Sequence, residues 1–427
     1  MAEADRPPSL ERNDVLDEKN GIDATDTSSP AADGTVTEDS PQTRETSPKE
    51  ALILDACGRR DISELQALAE LPGGFITDDL RQEAWPILLG LPIRTRTDGD
   101  EKAHEAYLSQ EDLSWKHLPP HKDEDQVRLD VDRAFVYYPH YRTDDERNRQ
   151  KAHLSNVILS VLRRHPYLCY FQGYHDIAQV FLLVLPPALR APAVTRLSTL
   201  RIRDFMLPNL TAALAQLRLI PSILNAADPK LCAHLSQTEP FFALSGTLTM
   251  YAHDIQSLGE IARLFDVLLA REPIFSVYMF AQIVLNRRTE LFETPPTEPE
   301  MLHSILSKLP QPLDLEALIT ATSELCARYP PETLGAAWRR GISEFSALKT
   351  ARSTADCAGQ SEAVGEYYFT QHVRDLERRE RRAQVVKALW AYSRPAGMVG
   401  FAVLFGVLAY WMRRSPLVSS SLAGFSE

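Results

Sequence analysis

Apolar residues recur along the chain at helical spacing. Leu154, Val157, Ile158, Val161 and Leu162 fall at i, i+3, i+4, i+7 and i+8, which lines one face of a helix. Ile261, Leu264, Phe265, Leu268 and Leu269 repeat that pattern. Leu52, Ile53 and Ala56, then Ile62, Leu65 and Leu68, predict a helix pair broken near Gly58. Leu80, Ala84 and Trp85 share a face of a helix that Thr77 can cap and Pro86 should stop. Thr143-Asp144-Asp145-Glu146 reads as a capping box ahead of the 154–162 stripe, which Pro166 ends. Residues 177–185 are nearly all apolar and predict a buried helix, and 197–206 predict an amphipathic one. Further helices are expected at 241–253, 278–285 and 301–309, with proline clusters between elements, and 92–125 read as loop. There is no alternation of β-branched residues between hairpin turns, so the fold class is all-α.

Polar composition changes the picture at the N-terminus. The 427 residues hold 46 basic and 58 acidic side chains, a net charge of −12. Residues 1–49 carry −7 of it, on twelve acids and five bases, with few large apolar groups. Such a stretch cannot bury enough surface to offset its ordering entropy, so 1–49 is expected to be a disordered acidic arm, with Ser47-Pro48 among its modifiable sites. An acidic chain of this kind excludes a generally basic nucleic-acid binder. The five cysteines are scattered and form no C-x-x-C pair or zinc spacing, so no metal is expected and reduced thiols in a cytosol-facing domain are the simple reading. The expected organisation is a helical domain over 50–345, a small and polar linker over 346–366, and a basic helix over 367–394. Arg374, Arg378, Arg379, Arg381, Arg382 and Lys387 dominate that helix, which either lies near anionic headgroups or is a solvated spacer.

A second compositional shift closes the chain. Ala396 to Met412 contains no charge, and 17 residues at 1.5 Å rise span about 26 Å. That approaches the roughly 27 Å hydrocarbon thickness of an endoplasmic reticulum bilayer. Trp390 and Tyr392 before it, and Tyr410 and Trp411 at its end, suit the two interfaces. Residues 395–412 are therefore expected to enter the lipid bilayer as a tail anchor, leaving 413–427 as a short luminal tail. The basic flank on the N-terminal side keeps the helical domain in the cytosol.

Two short segments carry candidate chemistry. In Val127-Arg128-Leu129-Asp130-Val131-Asp132-Arg133, Asp130 and Arg133 are i, i+3 neighbours. Alone they read as an ordinary surface ion pair worth tenths of a kcal/mol. In Tyr170-Phe171-Gln172-Gly173-Tyr174-His175-Asp176, Gly173 permits a tight helix entry and Gln172 offers a neutral donor and acceptor. Alone this reads as a capping turn with aromatic packing.

Together, a V/I-x-x-D-x-x-R segment and a Y-x-Q-G segment whose Gln lies 39 residues after the Arg resemble the TBC domain family, GTPase-activating proteins for Rab GTPases. Leu80-Arg81-x-x-x-Trp85-Pro86-x-Leu88-Leu89-Gly90 is similar to the family's opening motif. Phe205-Met206 and Leu264-Phe265-Asp266 fall where its later helices lie. Gln172 to Ile177, Arg203 to Met206 and the terminal apolar run resemble one subfamily, that of TBC domain family member 20 and its fungal relatives anchored at the endoplasmic reticulum. The resemblance covers about 74–345 and implies a two-lobed helical domain.

It also implies the roles. Arg133 would be an arginine finger and Gln172 a glutamine finger, both acting in trans on a Rab of endoplasmic reticulum-to-Golgi vesicle transport. Phosphoryl transfer is catalysed almost entirely by positioning and charge stabilisation, and a planar guanidinium bridges phosphate oxygens in a way Lys does not. Asp130 would hold Arg133, Tyr170 and Gly173 would shape the turn, and Asp176 would tie it to a neighbouring helix. Tyr174, where many members carry Met, implies an altered Rab contact. No cofactor of its own is expected: the sequence has no P-loop, and GTP and Mg²⁺ would arrive with the Rab. The expected location is the endoplasmic reticulum membrane and the early Golgi. A non-catalytic Rab-binding membrane adaptor is the competing reading. A hydrolase on His175-Asp176 lacks any accompanying nucleophile motif.

Overall fold

The computed structural model describes residues 47–92 and 112–414, without the side chains at 389–402 and 412–414. The expected disordered arm lies outside the described residues up to 46. Its last residues belong to a helix: Ser47 Oγ accepts from the Glu50 N–H at 3.2 Å and the Glu50 carboxylate accepts from the Ser47 N–H at 2.8 Å. This reciprocal cap opens α1 (Pro48–Arg59), with proline at the first helical position where no N–H is needed. A left-handed Arg60 ends it, two residues beyond the expected break at Gly58.

The helices that follow are α2 (Ile62–Glu70), α3 (Asp78–Leu88), α4 (Glu124–Val131), α5 (Asp144–Arg164), α6 (Tyr174–Val184) and α7 (Pro187–Arg196). Then come α8 (Thr211–Leu217), α9 (Ile220–Ala227), α10 (Pro229–His234), α11 (Leu244–Leu248), α12 (Leu258–Ala270) and α13 (Phe275–Asn286). The chain continues through α14 (Arg288–Glu293), α15 (Pro299–Leu306), α16 (Leu315–Arg328), α17 (Ala347–Thr350), α18 (Thr354–Gly359) and α19 (Glu362–Arg414). No strand occurs among the described residues. One hydrophobic core runs from Ile53 to Phe369. Its centre is α12, where every residue from Ile261 to Ala270 is buried and which packs on α2, α3, α6 and α16.

The opening motif proves to be architectural. Asp266 of α12 is fully buried and accepts from Arg81 Nε at 3.0 Å, Arg81 Nη2 at 3.2 Å, Trp85 Nε1 at 2.8 Å and the Phe75 N–H at 3.0 Å. A buried carboxylate persists where its lone pairs are filled in this way. Pro86 does not stop α3, which runs on to Leu88. The burial of Trp85, Ile87 and Leu88 outweighs the one bond Pro86 cannot donate, and the Leu91 N–H closes on the Pro86 carbonyl at 2.8 Å.

Three expectations are corrected. Residues 197–206 are not an amphipathic helix but a wide-turned segment and a 3-10 turn, buried almost throughout, Arg201, Arg203 and Asp204 included. Residues 241–253 are no single helix: α11 ends at Leu248, and Met250 and Tyr251 take left-handed backbone at φ 50° and 64°. Residues 346–366 are no linker. Ala347, Leu348, Ala351, Thr354 and Cys357 are buried.

Arginines and one aspartate hold that segment down. Arg203 donates to the Phe345 carbonyl at 3.0 Å and to Thr350. Arg196 reaches the carbonyls of Ala358 at 2.8 Å and Gln360 at 2.5 Å. Asp204 accepts from the Ala347 N–H at 2.9 Å and from Ser346, with His372 at 3.4 Å. Burial pushes the Asp204 carboxyl up, but His372, Arg203 and Ser346 outweigh it and hold it at about 2. Small polar residues look like a linker in sequence because their burial depends on partners 140 or more positions away, as for Asp204 and Ala347.

Beyond Phe369 the helix stays on the core through His372, Val373 and Leu376 and is exposed from Glu380 to Lys387, with Arg379 paired to Asp375 and Arg381 to Glu377. Among the described residues no helix is long and apolar enough to cross a membrane. Of the expected anchor, 395–412, the side chains at 395–402 and 412 lie outside the described residues. Within the described part, Val403, Leu404, Phe405, Val407 and Leu408 are all exposed.

Candidate functional site

The two motif segments meet at one cavity of about 750 Å³, which Arg133, Tyr170, Gln172, Gly173 and Asp176 all line. Asp130 sits behind it. It is the last polar residue of α4 and is completely buried. Its Oδ1 accepts from Arg133 Nη2 at 2.7 Å and Gln126 Nε2 at 3.0 Å, and its Oδ2 accepts from the Tyr170 hydroxyl at 2.9 Å. The Arg133 side chain remains 65% exposed. One end of this ion pair is therefore anchored in the core while the guanidinium stands in the cavity. That differs from the free surface pair the spacing alone suggests.

The Arg133 backbone is fixed as well. Its N–H closes on the Asp130 carbonyl at 3.1 Å, and Lys151 Nζ caps the Asp132 carbonyl at 2.5 Å. Phe135 takes a left-handed φ of 62°, and its N–H donates to Gln179 Oε1 at 3.1 Å. Gln179 Nε2 donates in turn to the Tyr138 carbonyl at 3.1 Å. Gln179 thus staples the 135–138 loop onto α6. It was missed as a site residue, although a buried polar group within the apolar 177–185 run was a visible signal.

Tyr170 links the segments. Its N–H donates to Asp123 at 2.9 Å and its hydroxyl to Asp130. Burial and the Asp130 carboxylate push the phenol far above its usual range, so it stays a neutral donor. Gln172 is exposed, and among the described residues its amide makes no hydrogen bond. A free neutral amide and an anchored guanidinium facing one cavity can together address a water and a charged group bound there.

Gly173 caps α6 at φ 95°, a left-handed value. A Cβ there would lie 2.6 Å from Thr249 Cγ2. Gly173→Ala is therefore expected to cost about 1–3 kcal/mol, a fall of several degrees in melting midpoint. An unchanged midpoint in a thermal scan would show that the turn relaxes freely. Asp176 reaches a turn, not the expected neighbouring helix: its Oδ2 lies 3.0 Å from His253 Nδ1, and its Oδ1 lies 3.3 Å from His175 Nε2. His253 carried no sequence signal. Tyr174 is fully buried with its hydroxyl 2.7 Å from Ser198, so it packs the core instead of facing a partner.

Comparison with known proteins places these features. The GTPase-activating protein gyp10 of Schizosaccharomyces pombe is 33% identical over 300 residues, covering 69% of this chain and 76% of its own. TBC1 domain family member 20 of Homo sapiens is 32% identical over 297 residues, covering 69% of each chain. The crystal structure of the Ypt/Rab-GAP domain of Gyp1p shares the fold, with a TM-score of 0.50 at 17% identity over 65% of this chain and 99% of that one. The family model of the Rab-GTPase-TBC domain matches residues 78–292, a span that takes in both cavity motifs and Asp266. The chain belongs to the Rab-GTPase-TBC domain family.

Proposed function

We propose that this protein accelerates GTP hydrolysis by a Rab GTPase of endoplasmic reticulum-to-Golgi transport, inserting Arg133 and Gln172 in trans. Family membership supports a Rab GTPase as the partner. The observation that carries the residue assignment is the shared cavity: Arg133, tethered at 2.7 Å to a fully buried carboxylate, and Gln172, with an amide left free, line the same opening. The guanidinium neutralises charge developing on the transferring phosphoryl group. The amide orients the attacking water. GTP and Mg²⁺ belong to the Rab. The same machinery without Gln172 should still bind but activate poorly. In a single-turnover assay across a panel of Rabs, Gln172→Ala is expected to lose about 10²-fold or more in stimulated rate. Full activity of that variant would remove Gln172 from the mechanism, and Rab binding by the unaltered chain with no faster hydrolysis would leave the non-catalytic adaptor as the better reading.

The membrane reading joins this. Exposed apolar side chains at 403–408 continue a helix whose preceding turns are basic, which suits a tail anchor at 395–412 in the endoplasmic reticulum membrane and early Golgi, with the helical domain cytosolic. The full chain is expected to float with membranes and resist carbonate extraction, and a chain lacking 395–427 to remain in the supernatant. Carbonate release of the full chain would reject the anchor.

A further inference from the structure

We propose that His253 is a positioning residue for the glutamine turn, locking the Gln172-Gly173 entrance of α6 against the turn that follows α11. The inference rests on the GTPase-activating reading of the cavity.

The Gln172 amide has no hydrogen-bond partner among the described residues, so its direction is set by the backbone beside it. Two features fix that backbone. One is the close approach of Gly173 to Thr249. The other is the hydrogen bond between Asp176 Oδ2 and His253 Nδ1 at 3.0 Å. Both partners come from the 249–253 turn, which is itself well held. Thr249 Oγ1 donates to the Ser245 carbonyl at 2.9 Å and accepts from the His253 N–H at 3.4 Å. The Tyr251 hydroxyl donates to the Ser276 carbonyl at 2.7 Å, and its N–H to the Gly246 carbonyl at 2.7 Å. The turn is a platform, and His253 is the side chain it extends toward α6.

The arginine side lies next to this contact. Asp176 Oδ1 is 3.3 Å from His175 Nε2, and His175 Nδ1 is 3.9 Å from Asp130 Oδ2, the oxygen that also accepts from Tyr170. Imidazoles and carboxylates thus alternate in space from His253 to Asp130, but the 3.9 Å step makes no hydrogen bond, and the bonded part of the contact ends at Asp176. Burial lowers the His175 pKa, whereas the Asp176 hydrogen bond raises that of His253. The groups facing His253 are Asp176 and His175 from α6 and Asp254 from its own turn, with Arg133 on the same cavity. His253 is 62% exposed, so its order depends on Asp176 until a partner covers the cavity.

The sign follows from the raised pKa. The imidazolium bridge is complete below the ordinary histidine value of about 6.5 and weakens as pH rises through the raised one. A neutral ring can still donate through Nδ1–H, so the bond weakens without vanishing.

The test uses the full chain in detergent with a Rab it activates, in single-turnover assays from pH 6 to 8.5. His253→Ala should lower the maximal stimulated rate about tenfold at pH 6.5 and leave the half-saturating concentration within about twofold. The ratio of unaltered to variant rate should fall toward one as pH rises. His253→Gln, which can still donate, should recover most of the rate with a ratio that no longer varies with pH. A maximal rate within twofold for His253→Ala, or a loss equal at every pH, overturns the proposal. Independently of activity, the His253 ring should titrate above its ordinary value by NMR and drop in Asp176→Asn. An ordinary titration in both also overturns it. If the unaltered chain activates no Rab, the GTPase-activating reading fails first, whereas normal activation with an indifferent His253→Ala defeats the positioning role alone.

Discussion

Arg133→Ala is expected to lower stimulated GTP hydrolysis by about 10³–10⁵, the range of arginine-finger contacts. Its side chain is 65% exposed and Asp130 keeps Gln126 and Tyr170, so the variant should fold, with its melting midpoint lowered by the buried carboxylate left without its cation. Arg133→Lys keeps the charge and is expected to recover little. A compact ammonium cannot make the parallel bonds of a planar fork, nor keep one Nη on Asp130 while another addresses phosphate. Single-turnover hydrolysis with a saturating amount of each variant decides this. A lysine variant within threefold of the unaltered rate would mean that simple charge, not fork geometry, is the requirement. An alanine variant with full activity would remove Arg133 from the mechanism.

The second large effect concerns stability. Asp266→Ala should destabilise the domain by about 3–5 kcal/mol, because it strands the Arg81 guanidinium in the core and leaves the Trp85 and Phe75 N–H groups without an acceptor. At about 2–4 °C per kcal/mol for a domain of this size, the melting midpoint should fall by roughly 10 °C. A shift below about 2 °C would mean that water or a neighbouring carboxylate replaces Asp266. Arg81 has one partner already in reach, Asp78 at 2.8 Å, but that group is half exposed and cannot serve Trp85.

Both effects concern charged groups that the sequence shows and does not rank. Asp130 and Arg133 have the spacing of an exposed helix pair, and Arg81 and Asp266 are 185 positions apart. Burial separates their roles. Asp130 is sealed in the core and turns its partner outward into the cavity, whereas Arg81 is sealed together with Asp266 and holds α3 to α12. The resemblance to a known family singled out Arg133 and Gln172 as the proposed fingers. The residues that brace these segments had no such motif: Gln179 clamps the loop after Arg133, and His253 reaches Asp176 from 77 positions away.

The helical stripes, the caps at Thr77 and Thr143 and the lack of strands among the described residues were all readable from the chain, because periodicity and capping are properties of neighbouring residues. Three boundaries were not. Pro86 lies inside α3, 197–206 bury their charges, and the polar stretch 346–366 folds onto the core. In each case packing against distant elements overrides a local preference worth a few kcal/mol at most. The sequence by itself determined the helical class, the family and the two side chains that face the cavity. The tertiary structure alone decided which carboxylates are buried and which turns are pinned, since burial and long-range hydrogen bonds arise where segments far apart in the chain come within a few ångströms.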